Sequence, residues 1–193
     1  MVLVRFSSTE IRDLIKAWLA VTLAFTILYA GLRFDAGVLI VFAALAISVG
    51  LGFLLHELAH KFVAQKYHAW AEFRSDDRML LLMLAVSAFG FVFAAPGAVM
   101  IGGHLPIDKH GKVALAGPSM NILLAIVFAA LTFIPNPAFL FAGYGATINA
   151  WLAVFNLLPF GPMDGAKVLM WSKTAWAAAG IASLGVLFLT FAL

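Results

Sequence analysis

There is no cysteine among the 193 residues. Disulfides are thereby excluded, and so is any zinc site built on thiolates. A metal would have to be held by His, Asp or Glu. Charge is also scarce. Asp, Glu, Lys and Arg make up 11% of the chain, against about 25% in an ordinary soluble domain. There are three glutamates in all, Glu10, Glu57 and Glu72. A chain of this size cannot cover itself with so few charges and remain in water. No internal repeat is evident, which argues against the paired halves of secondary transporters. Runs of basic residues are missing too. The net charge is +3, but Lys and Arg stand singly in short connections, where they report membrane topology rather than nucleic-acid binding.

What fills the chain is apolar: 64% of residues are hydrophobic and the mean hydropathy is +1.06. Lipid must be the solvent for most of this surface. The pattern predicts an all-α polytopic membrane protein with about five to six transmembrane helices, forming one membrane-embedded domain over 1–193. The first apolar segment runs from about Leu14 to Leu32. It lacks a small-residue cleavage site and is expected to be a retained helix rather than a signal peptide. The second runs from about Gly37 to Gln65. Tyr67–Arg78 reads as a polar loop. Met79–Ile101 is apolar but interrupted by Gly90, Pro96 and Gly97, and Gly102 and Gly103 follow. Leu105–Lys112 reads as a second polar loop. Further spans are expected at Val113–Ile134, Ala138–Leu158 and Thr174–Leu193.

With the N-terminus in the cytoplasm, every Lys and Arg except Arg33 falls on the inner side, as the positive-inside rule favours. That arrangement requires Met79–Ile101 to enter and leave on one face. Its glycines and proline favour a re-entrant hairpin, since irregular backbone is tolerated at membrane depth where protein or a wet cavity covers it.

The chemistry concentrates in His56-Glu57-Leu58-Ala59-His60, late in the second apolar segment. Residues four apart share a helix face, so His56 and His60 can hold one zinc ion, and Glu57 can act as general base on a zinc-bound water. An ionised group at membrane depth costs ~2.5–3.5 kcal/mol on insertion scales, so an idle Glu57 there is disfavoured. Two histidines leave the site one protein ligand short. Asp164, the only acid after Asp108, is the outstanding candidate. Its competing reading is the N-cap of a helix starting near Gly165.

The sequence resembles the site-2 protease family of intramembrane zinc metalloproteases. The resemblance rests on the His56–His60 motif, on Gly117-Pro118-Ser119-Met120-Asn121, and on Asn156…Pro159…Asp164-Gly165. It covers a catalytic core of about 38–173. It implies zinc held by His56, His60 and Asp164, with Glu57 as catalytic base. Asn156 would lie near the metal and help polarise the scissile carbonyl. Asn121 would support the site, or else serve helix–helix hydrogen bonding. The family often carries a membrane-embedded β-hairpin after the zinc helix, which fits Met79–Ile101 or Pro96–Gly103. Neither a PDZ insertion nor a nucleotide-sensing domain is recognisable, so the chain reads as a minimal core. The implied partners are a transmembrane substrate protein and the lipid bilayer, with no nucleic acid. The alternative reading is a non-proteolytic zinc-dependent transporter or metal-binding scaffold.

Three further groups have ordinary explanations. His68, His104 and His110 read as surface histidines in loops. The five tryptophans, Trp18, Trp70, Trp151, Trp171 and Trp176, read mainly as interfacial anchors. Gly143, Gly145 and Ala146 read as sites of close helix packing.

Overall fold

The computed structural model describes residues 5–33, 35–92, 96–136 and 141–192. It is mostly helical, with one small sheet. Helix α1, Ser8–Ala30, starts earlier than the apolar run because Ser7 caps it, its hydroxyl accepting the Glu10 N–H at 3.1 Å. Glu10 then turns inward. It pairs with Lys61, both side chains being fully buried. Its other oxygen accepts the Phe73 N–H at 2.9 Å. Lys61 Nζ also donates to the Arg5 carbonyl at 2.7 Å and lies 3.9 Å from the centre of the Phe6 ring. A buried ion pair is tolerable only when its remaining hydrogen bonds are satisfied, and here they are.

The second apolar segment is one continuous helical rod, Ala36–Lys66. It comprises α2 (Ala36–Leu45), a π-helical turn (Ala46–Gly50) and α3 (Leu51–Lys66). At ~1.5 Å per residue it is roughly 46 Å long, against ~30 Å of hydrocarbon, so its last turns reach or pass the interface. The π turn is held from outside by Trp18, whose Nε1 donates to the Ala46 carbonyl at 3.1 Å. Trp18 is therefore tied to the zinc-motif rod.

After α3 the chain turns through His68, which has φ 63°, into strand β1, Trp70–Ser75. This is a correction: the stretch expected to be a polar loop is half of the sheet. The signal was a period of two over only six residues. Ala71 and Phe73 are each 1% exposed, while Glu72 and Arg74 alternate with them. β1 pairs antiparallel with β2, Gly97–Gly102, in the register Trp70↔Gly102 to Ser75↔Gly97. Between them lies helix α4, Asp77–Ser87, whose N-terminus is capped by Asp76. The Asp76 N–H donates to the Pro96 carbonyl at 3.0 Å. The apolar excursion thus begins and ends at one place, as a re-entrant, partly β element. Gly97 is required at its return: with φ 152°, an added Cβ would lie 2.2 Å from the Arg74 carbonyl oxygen.

Helix α5, Ile107–Leu131, begins inside the second expected loop and contains Pro118. It packs against α3 and against α6 (Ala142–Asn156), α7 (Asp164–Trp171) and α8 (Lys173–Thr190). The expected start of α6's segment at Ala138 lies outside the described residues. Among the described residues, four stretches are long and apolar enough to cross a membrane: Ser8–Ala30, Ala36–Lys66, Ile107–Leu131 and Lys173–Thr190. The fifteen described residues of α6 are shorter than the usual ~20.

Large side chains such as Val21, Phe73 and Met83 fill the core near α1, but many helix contacts are made through alanine. Ala17, Ala24, Ala64, Ala125, Ala150 and Ala153 are completely buried, whereas Leu39 and Phe188 are about 70% exposed. Lipid tails gain nothing from hiding a leucine, so helices can approach through small side chains while large ones such as Leu39 and Phe188 face outward. Gly145 follows this rule, wedged against Phe128 and Ser48; Gly143 has open space beside it.

Candidate metal centre

His56, Glu57 and His60 sit on α3 where it crosses α5, and all three are less than 10% exposed. Asp164 opens α7. The N-cap position belongs to Met163, with no side-chain capping bond, so Asp164 does not act as a cap. Its carboxylate points at the histidines. Asp164 Oδ2 lies 3.4 Å from His56 Nε2 and 3.0 Å from His60 Nε2, and the two Nε2 atoms are 3.0 Å apart. For metal bonds of ~2.0–2.1 Å, a regular tetrahedron has an edge of ~3.3–3.4 Å. The triangle of donors is close to one face of that figure. Among the described residues this is the one cluster of three such ligand atoms, and it is buried.

The far sides of both imidazoles are committed. His60 Nδ1 meets the Val113 carbonyl at 2.7 Å, and His56 Nδ1 meets the Asn121 amide oxygen at 2.5 Å. Both partners accept, so both Nδ1 atoms carry the proton and both Nε2 lone pairs face Asp164. This is the donor set and orientation that zinc requires.

Helix α5 is shaped for this contact. Val113, Gly117 and Asn121 recur every four residues on one face. Val113 and Asn121 grip the two Nδ1 atoms. Gly117 lies between them, where an added Cβ would come within 2.6 Å of both Nε2 atoms. Pro118 removes the N–H that the Ala114 carbonyl would accept, opening the helix ladder beside Val113. The glycine and the asparagine of Gly117-Pro118-Ser119-Met120-Asn121 thus each have a local physical reason.

Glu57 and the three potential ligands line a cavity whose opposite wall is β2, Gly97 to Ile101. Asn156 also lines it; its Nδ2 donates to the Leu152 carbonyl at 2.9 Å, leaving one N–H for another acceptor. His110 and Lys167 stand in the same wall. His110 is thus a surface histidine as expected, but it stands on α5 at the cavity rather than in a loop. Lys167 Nζ lies 3.5 Å from Asp164 Oδ1, the oxygen turned away from the histidines. A second, more apolar cavity adjoins Glu57 on the side of α1 and is lined by Val21, Phe25, Phe53 and Leu152. The sequence reading missed Asn149 entirely. It is fully buried and bonded to Asn121, and an isolated asparagine inside an apolar helix carries no motif.

A buried His–His–Asp face with a neighbouring glutamate, in a polytopic helical protein, is a group that could hold a zinc ion. Comparison with known proteins gives the family. The chain is 42% identical over 197 residues to "Putative zinc metalloprotease MJ0611" of Methanocaldococcus jannaschii, covering 99% of this chain and 100% of that protein. Rip3 of Mycobacterium tuberculosis carries the same designation and is 31% identical over 60% of this chain, which spans 27% of Rip3. Zinc metalloprotease MJ0392 of M. jannaschii is 29% identical over 67% of this chain, which spans 34% of that protein. No family model and no solved structure matches the chain. The chain belongs to the site-2 protease family of zinc metalloproteases.

Proposed function

We propose that this multi-pass membrane protein hydrolyses a peptide bond within or near a transmembrane helix of another membrane protein. The observation that carries this reading is the placement of the buried side chains of His56, Glu57, His60 and Asp164 on one cavity walled by a strand. His56, His60 and Asp164 would hold the metal. Zinc, when bound, supplies a Lewis acid that makes water acidic and polarises a carbonyl.

The protein does the rest. Glu57 takes a proton from the attacking water as its oxygen bonds to the carbonyl carbon. It returns that proton to the amine as the C–N bond breaks. Asn156 donates its remaining N–H to the carbonyl oxygen, where negative charge develops. A helical peptide bond is shielded by its own hydrogen bonds, so the substrate must unwind first. The second edge of β2, unpaired in the described two-stranded sheet, can hold the extended segment by strand addition. The apolar cavity beside Glu57 has room for its hydrophobic side chains. The charge bias of the connections supports a cytoplasmic N-terminus and a site near the cytoplasmic face.

The deciding experiment incubates the purified protein with a membrane-spanning substrate beside Glu57→Gln. Cleavage by the parent alone is expected. Equal cleavage by both would refute the mechanism.

A further inference from the structure

Two asparagines buried to 0% exposure, Asn121 and Asn149, lie behind His56. Their amides form a directed chain. Asn149 Nδ2 donates to the Ser48 carbonyl at 3.0 Å and to the Gly145 carbonyl at 2.9 Å. Both of its N–H groups are then used, so its Oδ1 must be the atom facing Asn121. Asn121 Nδ2 donates to that oxygen at 3.0 Å and to the Gly52 carbonyl at 3.3 Å. Asn121 is left with Oδ1 toward His56 Nδ1.

We propose that Asn149 is a positioning residue for zinc: clamped by the Ser48 and Gly145 carbonyls, it fixes the Asn121 amide and, through it, the tautomer and ring angle of His56. The inference rests on His56 being a ligand. If Asn121 turned its amide over, its NH2 would face Nδ1, and the proton would move to Nε2, the atom that must be free for metal. The clamp depends on local backbone. Ser48 lies in the π turn Ala46–Gly50, where the helix departs from its regular bonding and a carbonyl can serve a neighbour. Gly52, one turn on, makes room for the amide: an added Cβ would lie 2.3 Å from Asn149 Oδ1. The zinc helix thus supplies the anchor at Ser48, the space at Gly52 and the imidazole at His56, with α5 and α6 each giving one asparagine.

The test is chelator-competition measurement of zinc affinity on the full chain in detergent, beside 15N spectra of the zinc-free protein labelled in histidine. Asn121→Leu should weaken zinc on the order of 10–100-fold. Asn149→Leu should weaken it by roughly tenfold and mix the His56 tautomers. The double variant should be no weaker than Asn121→Leu, because the effect passes through Asn121. A purely structural Asn149 would lower unfolding stability yet leave zinc affinity and tautomer as in the parent, which overturns the inference. Additive losses in the double variant also overturn it. Should Asn149→Leu fail to fold, Gly52→Ala displaces the same amide from the other side, and unchanged affinity there overturns it equally. His56→Ala separates the premises: parent-like zinc affinity in that variant removes His56 as ligand, whereas lost affinity there with no effect of Asn149→Leu removes only the relay.

Discussion

Five side chains divide the proposed chemistry at the residue scale. Glu57 lies in the cavity wall beside the ligands but is not one of the three converging donor groups. Glu57→Gln should therefore keep stoichiometric zinc and lose about 10²–10⁴-fold in cleavage rate, which metal analysis and a substrate assay on one preparation would check. Asp164 differs, since its Oδ2 completes the donor triangle. Asp164→Ala should lose zinc and activity together. Tight, stoichiometric zinc in that variant would remove Asp164 from the site. Dialysis of the parent against a chelator should abolish activity, and zinc should restore it.

At the scale of elements, the zinc helix is fixed at its middle and in its C-terminal half. Trp18 holds its π turn, and the Glu10–Lys61 pair joins its C-terminal half to α1 and β1. Replacing one member leaves the other buried and unpaired, a change that costs about 3–5 kcal/mol in comparable sites. Glu10→Ala should show this as a large loss of thermal stability, followed by circular dichroism in detergent. The hairpin depends on Gly97, so Gly97→Ala should disturb β2 through the clash with the Arg74 carbonyl. Cleavage should fall in that variant while zinc stoichiometry stays intact.

At the scale of the whole molecule, the absence of cysteine becomes useful. Any introduced cysteine is the sole thiol. With the proposed topology, Arg33→Cys and Lys109→Cys should be labelled by an impermeant maleimide from opposite sides of sealed vesicles. Labelling from the same side would mean that the excursion between β1 and β2 does not return to its face of entry in the membrane.

Composition determined the membrane environment, because a chain with so little charge cannot cover its whole surface in water. The spacing of His56 and His60 determined a shared helix face, because the α-helical period leaves no other arrangement. Local chemistry also marked much of each helix, through long apolar runs. Helix starts were less legible, since α1 and α5 begin among polar residues, where capping and packing rather than hydropathy decide. Only the tertiary structure decided what those helices do to one another. Strand β1 was hidden because six residues with two inward side chains barely differ from a polar loop until β2 lies beside them. Asp164 could serve as a cap or as a ligand by sequence alone, and its direction follows from where α7 packs against α5, the helix against which α3 also packs. The Asn149–Asn121–His56 chain was invisible because its members are separated by 28 and 65 residues. A hydrogen bond between such distant residues exists only once three helices have packed, and it is that packing which turns a pair of histidines into a directed site.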